Sequence, residues 1–425
     1  MGVGQMSRLK QKKRNDFFQN TEKERDVVRT IISEVHEFGD EAVRKFTKQF
    51  DGSKINQFLV AKEEIKEAYK EITPEIIEIL KEAKQNIYEF HEKQKLPNWS
   101  YERPDGTYLA QIRTSIDSVA LYIPGGKAAY PSTVLMNAIP AQIAGVERII
   151  IVTPPNKEGK IASSVLVAAD MMGITEIYKI GGAQAIAACA FGTDTIEAVN
   201  KIVGPGNIYV ALAKRELYGV VDIDMIAGPS EIAIIADEYA NPKYIAADLL
   251  SQAEHDERAV CICYTTSEQL ANNIRKEIEI QLRTLPKKDI AESSINNYGE
   301  IIVVPSLEEA FRLSNELAPE HLEVQVKDAK SWLPFIKHAG SIFLGEYSSE
   351  PIGDYFAGPN HTLPTSGTAK FFSPLSVEHF MKRSSVLSYS KEAFDNNYRK
   401  IASFARLEGL EAHARAIEVR GEQPK

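Results

Sequence analysis

The segment RIIIVTPPNKEGKIASSVLVAADMMGITEIYKIGG, residues 148–182, contains two short apolar runs with a stretch of small apolar residues between them. RIIIVTPP and EIYKIGG have the length and the branched side chains of buried strands, and VLVAADMMG predicts a helix that ends at Gly173. Continuous apolar strands that are joined by helices are typical of parallel sheets covered on both faces. This segment therefore predicts an α/β fold.

The same alternation extends from about residue 120 to about residue 345. NKIVGPGN, SEIAIIAD and AVCICYTT predict further strands, and a helical stretch follows each of them. Before this region, residues 21 to about 95 predict helices and residues 107–123 predict strands. After it, residues 346–374 are rich in Gly, Pro, Ser and Thr and predict an irregular functional loop. The last fifty residues predict helices.

Length and composition restrict the class of protein. A chain of 425 residues is too long for one ordinary core, so we expect two or three domains. The net charge of -9 disfavours a nucleic-acid-binding protein. No apolar run approaches the length of a membrane span, and the basic stretch RLKQKKRN near the N-terminus predicts a solvated arm. Cys189, Cys261 and Cys263 lie in apolar runs, which predicts buried thiols in a reducing, cytoplasmic compartment.

Three glycine turns each follow a predicted strand and precede a predicted helix, namely PGG (124–126), IGG (180–182) and GPGN (204–207). Because ligands of open parallel sheets bind at the carboxyl ends of the strands, these turns predict a small-molecule cleft. GPGNIY is an incomplete dinucleotide fingerprint, since Tyr209 stands where the third glycine belongs, although Asp222 and Asp224 follow about twenty residues later. A simple tight turn explains GPGN as well as a cofactor contact does.

Scattered polar residues have the types that zinc prefers. Gln252 and His255 stand three residues apart near the end of a helix, Asp354 and His361 frame GDYFAGPNH, and His413 lies in the C-terminal helix. An amide oxygen, a carboxylate and imidazoles suit Zn²⁺. Each residue also has a simpler explanation as a surface polar cluster, as turn chemistry or as a solvated helix face. The residue types alone therefore do not define a metal site.

Glu320 and His321 stand together in NELAPEHLEV, where Pro319 disfavours a helix. Adjacent residues of an extended segment point to opposite sides, so the two side chains could handle different protons. Histidine is the usual general base near neutral pH, and a glutamate can activate water. The pair is a candidate catalytic pair on residue type.

Nine strings of this sequence together resemble the histidinol dehydrogenase family in order and approximate spacing, over roughly residues 25–420. They are LYIPGG, PSTVLMNAIPAQIAGV, YKIGGAQAIAA, KIVGPGNIYVALAKR, DMIAGPSEI, DLLSQAEHD, NELAPEHLE, GDYFAGPNHTLPT and LEGLEAHARA. QAEHD, APEHLE and GPNHTLPT are highly specific as a set. The resemblance implies a zinc-dependent, NAD-linked oxidation of L-histidinol to L-histidine through bound L-histidinaldehyde, the last two steps of histidine biosynthesis.

The resemblance also implies a role for individual positions. The implied catalytic residues are Glu320 and His321. The implied ligands of one zinc ion per subunit are Gln252, His255, Asp354 and His413. The implied substrate contacts are Ser230, Gln252, His255, His321, Asp354, His361, Glu408 and His413. The implied NAD contacts are Tyr122, Gln184 and Asn207.

The family fold implies two incomplete Rossmann-like domains, one inserted in the other, and a helical tail that swaps across a homodimer. On this chain the scheme predicts an N-terminal arm at 1–20, a first domain at 21–121 and 232–375, an inserted domain at 122–231 and a tail at 376–425. The implied partners are L-histidinol, NAD and a second copy of the chain, with no nucleic acid and no membrane.

Two other functions are compatible with parts of the pattern. A zinc hydrolase would use the same ligands, with Glu320 as the base on water, and would turn over without NAD. A non-catalytic nucleotide-binding scaffold would need neither zinc nor the Glu320–His321 pair. Neither alternative accounts for the full set of strings.

Overall fold

The computed structural model describes residues 21–125 and 129–421. The predicted arm at 1–20 and the centre of the first glycine loop lie outside the described residues. The chain forms two compact units. The first consists of the described parts of Met1–Gln94 and Ile116–Phe380, and the second of the described parts of Lys95–Ser115 and Met381–Lys425. Within the described residues, no helix is both long and apolar enough to cross a membrane.

The α-helices of the described residues are numbered here in chain order. They are α1 Glu22–Phe38, α2 Asp40–Phe50, α3 Lys62–Glu71, α4 Pro74–Glu92, α5 Pro131–Ala144, α6 Ser163–Met171, α7 Gly182–Phe191, α8 Ile208–Leu217, α9 Pro242–Ala253, α10 Glu268–Leu282, α11 Lys288–Tyr298, α12 Leu307–Leu317, α13 Glu350–Tyr355, α14 Lys391–Leu407 and α15 Glu411–Gly421. Short 3₁₀ turns occur at Ala329–Phe335, Thr368–Lys370 and Val377–Phe380.

The β-strands are numbered in the same way. They are β1 Trp99–Glu102, β2 Tyr108–Ser115, β3 Ser118–Tyr122, β4 Arg148–Val152, β5 Glu176–Tyr178, β6 Lys201–Val203, β7 Asp222–Ile223, β8 Glu231–Ala236, β9 Val260–Thr265, β10 Gly299–Val303, β11 His321–Gln325, β12 Ser341–Leu344 and β13 Met381–Ser388.

Two five-stranded parallel sheets form the centre of the first unit. The first sheet has the strand order β5-β4-β3-β6-β7, and the second has the order β10-β9-β8-β11-β12. All residues of β8 and β9 are buried, as the continuous apolar runs of parallel strands require. The predicted α/β fold with parallel sheets flanked by helices is confirmed. The insertion of one domain into the other stays a prediction.

The helices that cover the first sheet are rich in small residues. In α7, every residue from Ala183 to Ala190 is buried. A helix that is apolar on all sides can be enclosed between other elements, and alanine side chains allow close approach. The predicted burial of Cys189, Cys261 and Cys263 is also confirmed, because all three are free and buried. Burial raises the pKa of each thiol to about 12, which argues against a cysteine nucleophile.

The N-terminal helices follow their sequence signals. The hydroxyl of Thr73 accepts a hydrogen bond from Ile76 N at 3.4 Å at the start of α4, and Pro74 stands in the first turn. The apolar faces of α1 and α2 belong to the core of the first sheet. These helices therefore cover the sheet that carries the glycine turns.

The second unit is a three-stranded antiparallel sheet, β1-β2-β13, with the helices α14 and α15 packed on each other. The C-terminal end is helical as predicted, but a strand comes first, because Met381–Ser388 pairs with β2 along its whole length. A pairing between segments more than 260 residues apart is a tertiary effect, which local periodicity does not report.

Candidate functional site

The Glu320–His321 pair lies at the amino end of β11, beside the amino end of β8. Glu231, the first residue of β8, contacts both side chains through its backbone. Its N–H donates to Glu320 Oε2 at 2.9 Å, and its carbonyl oxygen accepts from His321 Nδ1 at 3.0 Å. Glu320 precedes the strand, so the alternation of an extended segment does not separate the two side chains. Glu320 Oε2 lies 3.9 Å from His321 Nδ1.

This contact determines the tautomer of His321. A carbonyl oxygen only accepts hydrogen bonds, so Nδ1 carries the proton and Nε2 of the neutral ring has a free lone pair. Nε2 is buried and has no hydrogen-bond partner among the described residues. It lies 3.7 Å from Asp354 Oδ1. An oriented imidazole with a free ring nitrogen is the arrangement of a general base.

Several carboxylates surround this imidazole. Burial by itself lowers the pKa of His321, but the surrounding negative charges, that of Glu350 first, raise it well above its ordinary value. Burial raises the pKa of Glu320 to about 8 and that of Glu350 to about 7. A buried group of this kind has a high affinity for positive charge.

Gln252 and His255 reach the same place from the end of α9. With its amide oriented so that both atoms are satisfied, Gln252 donates to Glu350 Oε2 and to the Glu231 carbonyl oxygen, each at 3.2 Å. Its oxygen then accepts from His255 Nδ1 at 3.3 Å. Burial lowers the pKa of His255, which favours the neutral ring that a metal ion requires. The predicted proximity of the two side chains is therefore observed.

His321, Glu350 and Asp354 together could hold a metal ion, because their candidate ligand atoms lie within 4.8 Å of one another. Asp354 belongs both to this group and to the ligand set that the sequence predicts. It lies on the short helix α13 rather than in an irregular loop, and Pro351 stands in the first turn of that helix.

The remaining predicted substrate residues lie in two places. His361 donates from Nδ1 to the backbone oxygen of Asp354 at 3.0 Å, and its Nε2 lies 3.3 Å from the Thr133 hydroxyl. Ser230 immediately precedes β8. Glu408 is the C-cap of α14 and His413 is an exposed residue of α15, so both belong to the second unit.

A cavity of about 1090 Å³ lies at the carboxyl ends of the first sheet, where the glycine turns predict a cleft. Tyr122, Gln184 and Asn207 line it. Gln184 is buried, and neither its amide oxygen nor its nitrogen has a partner among the described residues. The Tyr122 hydroxyl accepts from Gly182 N at 3.1 Å, and the Asn207 side chain caps α8.

The GPGN turn has a packing role. Gly204 has a φ of 114°, and a Cβ there would lie 2.2 Å from the backbone oxygen of Tyr122. Asp224 accepts from Gly204 N at 2.7 Å, and Lys214 donates to Gly204 O at 3.0 Å. Lys214 and Asp224 form a buried ion pair with each other. Asp224 therefore supports the turn rather than presenting a carboxylate to the cavity.

Three contributors to the site were not predicted from the sequence. Glu350 could have been found, because it stands four residues before Asp354 after the helix-start signal Ser349, and that spacing places both on one helix face. Glu231 acts through its backbone and Thr133 through a contact that spans 228 residues. Neither leaves a local sequence signal.

Comparison with known proteins places this chain among close relatives. The family model for histidinol dehydrogenase matches residues 13–421. The histidinol dehydrogenase of Bacillus licheniformis is 60% identical over 403 residues, which are 95% of either chain. That of Bacillus subtilis is 58% identical over 400 residues, 94% of each. The crystal structure of histidinol dehydrogenase from Elizabethkingia anophelis superposes with a TM-score of 0.90 at 40% identity and covers 93% of this chain and 91% of that one.

Proposed function

Because this chain belongs to the histidinol dehydrogenase family, an oxidoreductase family of histidine biosynthesis, we propose that it carries out both NAD-linked oxidations from L-histidinol to L-histidine. The overall change converts one histidinol, two NAD⁺ and one water into histidine, two NADH and three protons. The observation that carries the proposal is the buried Nε2 of His321, which has no partner while Nδ1 is held by Glu231.

His321 is the base of both oxidations. Its Nε2 takes the hydroxyl proton of histidinol as hydride leaves the adjacent carbon, and later takes the proton of the aldehyde hydrate in the same way. The bond from Nδ1 to the Glu231 carbonyl fixes the ring in the tautomer that can accept. Because the imidazole is buried, the aldehyde forms in a place that excludes bulk water until hydration is required.

Glu320 activates the water that hydrates the bound aldehyde. One of its oxygens accepts from Glu231 N at 2.9 Å, which orients the carboxyl. Glu320→Gln keeps the shape of the side chain and removes the base, so it should reduce histidinal oxidation far more than the first oxidation of histidinol. Single-turnover NADH formation from each substrate separates the two steps. Wild-type histidinal oxidation by the variant would contradict the assigned role.

The donor set fits a divalent zinc ion. Gln252, His255 and Asp354 supply an amide oxygen, an imidazole and a carboxylate, and His413 is the fourth proposed ligand. When bound, the ion would hold the nitrogens of the substrate and offset the carboxylate charges that raise the pKa of His321. Ser230, His361 and Glu408 complete the proposed substrate contacts.

The cavity of the first sheet fits NAD. Its amide Gln184 is buried with both polar atoms unpartnered among the described residues, as expected of a group that a ligand satisfies. Tyr122 and Asn207 are the other proposed contacts. When bound, NAD accepts the hydride.

We further propose that the active unit is a homodimer of this cytoplasmic enzyme. His413 and Glu408, on the second unit, would then complete the site of the partner subunit. Co-expression of a His413→Ala chain and a Glu320→Gln chain should restore activity in the mixed dimer, since one site then has all its residues. Two folded but inactive parents that give an inactive mixed dimer would contradict the swap.

The direct test of the function is NADH formation from L-histidinol by the purified full-length protein. We expect two NADH for each histidinol consumed, loss of turnover after treatment with a chelator, and recovery with Zn²⁺. A zinc hydrolase would form no NADH, and a nucleotide-binding scaffold would not consume histidinol. Full turnover by protein that elemental analysis shows to be free of metal would contradict the zinc assignment.

A further inference from the structure

One carboxylate of the nucleotide cavity has no role in the account above. Asp51 is the C-cap of α2 and lines the cavity together with Tyr122 and Gln184. Its Oδ2 atom is buried and has no hydrogen-bond partner among the described residues. Burial raises the pKa of Asp51 to about 6. An unpartnered carboxylate oxygen is costly to bury, so a ligand with hydroxyl groups is the natural partner.

The acids that follow the GPGN turn in sequence are already engaged. Asp222 accepts from Lys201 at 2.7 Å, and Asp224 forms the buried pair with Lys214. Neither belongs to the lining of the cavity. In nucleotide-binding α/β folds a carboxylate commonly accepts from the ribose hydroxyls. In this chain Asp51, from a different helix, is available for that contact.

The position of Asp51 in the fold indicates which ribose it meets. At one side of the cavity Ala129 stands four residues before Thr133, whose hydroxyl lies 3.3 Å from His361 Nε2. That side leads to the catalytic cluster and suits the nicotinamide. Asp51 is carried by α2, which packs against α1 and α7 of the first sheet. The Asp51 side therefore suits the adenosine half of the dinucleotide.

We propose that the Asp51 carboxylate accepts hydrogen bonds from the hydroxyls of the adenosine ribose and thereby selects NAD over NADP. The inference rests on the proposed use of NAD. A carboxylate accepts readily from two neighbouring hydroxyls, whereas the 2′-phosphate of NADP would place like charges together. Lys157 and Lys160 line the same cavity and would favour phosphate groups, so the two effects oppose each other at this position.

Calorimetric titration of the full-length protein with NADH and with NADPH tests the inference without turnover. We expect the wild type to bind NADH more tightly than NADPH. Asp51→Asn should weaken NADH on the order of 10-fold, because a charge-assisted hydrogen bond becomes a neutral one. It should weaken NADPH less or strengthen it, so the preference narrows. Asp194→Asn, the same change at an exposed residue outside the cavity, should alter neither affinity.

Thermal unfolding separates this role from a structural one. Removal of an unpartnered buried charge should leave the Tm of Asp51→Asn equal to or above that of the wild type. If wild type binds NADH and Asp51→Asn keeps the same NADH and NADPH affinities, the inference is wrong while the proposed function stands. A wild type that prefers NADPH would assign control to the lysines and also contradict it. If wild type binds neither nucleotide, both the nucleotide cavity and this inference fail.

Discussion

The two parallel sheets of the first unit use opposite edges. In the first sheet the functional groups follow the strands, since the cavity is lined by residues after β3, β4 and β5. In the second sheet they precede the strands, since Glu231 begins β8 and His321 begins β11. The first edge is open, glycine-rich and mostly neutral. The second is closed and crowded with carboxylates and imidazoles.

This difference matches what each edge has to do. A dinucleotide must enter and leave, which suits backbone turns around a large cavity. Proton transfer needs side chains that stay in one orientation, which suits a buried hydrogen-bonded cluster. The carboxyl-edge rule for parallel sheets therefore holds for the nucleotide cavity but does not locate the catalytic cluster.

The largest expected effect comes from the base at the closed edge. His321→Asn should lower the rate of both oxidations on the order of 10²–10⁴-fold, because no other buried ring nitrogen can take the proton. Steady-state NADH formation from histidinol and from histidinal measures it. His338→Asn, outside the cluster, is the matched control. A loss of less than about tenfold for His321→Asn would remove the base from its assigned role.

The next effect concerns the open edge and is one of stability. Asp224→Asn leaves the Lys214 ammonium buried without its charge partner, so it should lower the free energy of unfolding by about 3–5 kcal/mol. Glu309→Gln breaks an ion pair with Arg312 that is exposed to solvent, and should cost about 0–1 kcal/mol. Denaturant titration compares the two. Equal effects would mean that the buried pair does not hold the GPGN turn.

The smallest effect concerns backbone strain beside the catalytic pair. Ala318 has a φ of 49° in the left-handed region that L residues avoid. Ala318→Gly relieves that strain and should change stability by less than about 1 kcal/mol. Ala310→Gly removes the same buried methyl group inside α12, where the backbone is helical, and should cost about 1–2 kcal/mol. If both variants lose the same stability, Ala318 is not strained.

The two edges also differ in how far the sequence predicts them. The strands, helices and glycine turns of the first sheet follow from apolar runs and Gly positions, because these signals are local. The catalytic cluster joins residues from 231 to 361 through backbone contacts, and no spacing rule connects Gln252 with Glu350 or His321. The resemblance to a family supplied that connection.

Some details required the structure itself. Asp51 lies about 150 residues before the turn whose acids were the natural candidates, and only packing brings it to the cavity. The strand Met381–Ser388 depends on its partner β2 rather than on its own pattern. The roles of Ser230, Glu408 and His413 remain predictions.

The central claim is that the two edges divide the work, with nucleotide binding at the first sheet and proton transfer at the second. Calorimetric titration of NADH into His321→Asn and Gln184→Ala, side by side with their turnover rates, tests it most directly. We expect His321→Asn to bind NADH like the wild type without turning over. Gln184→Ala should bind NADH on the order of 10-fold more weakly while its kcat at saturating NAD stays near that of the wild type. Loss of NADH binding in His321→Asn, or unchanged binding in Gln184→Ala, would contradict the division.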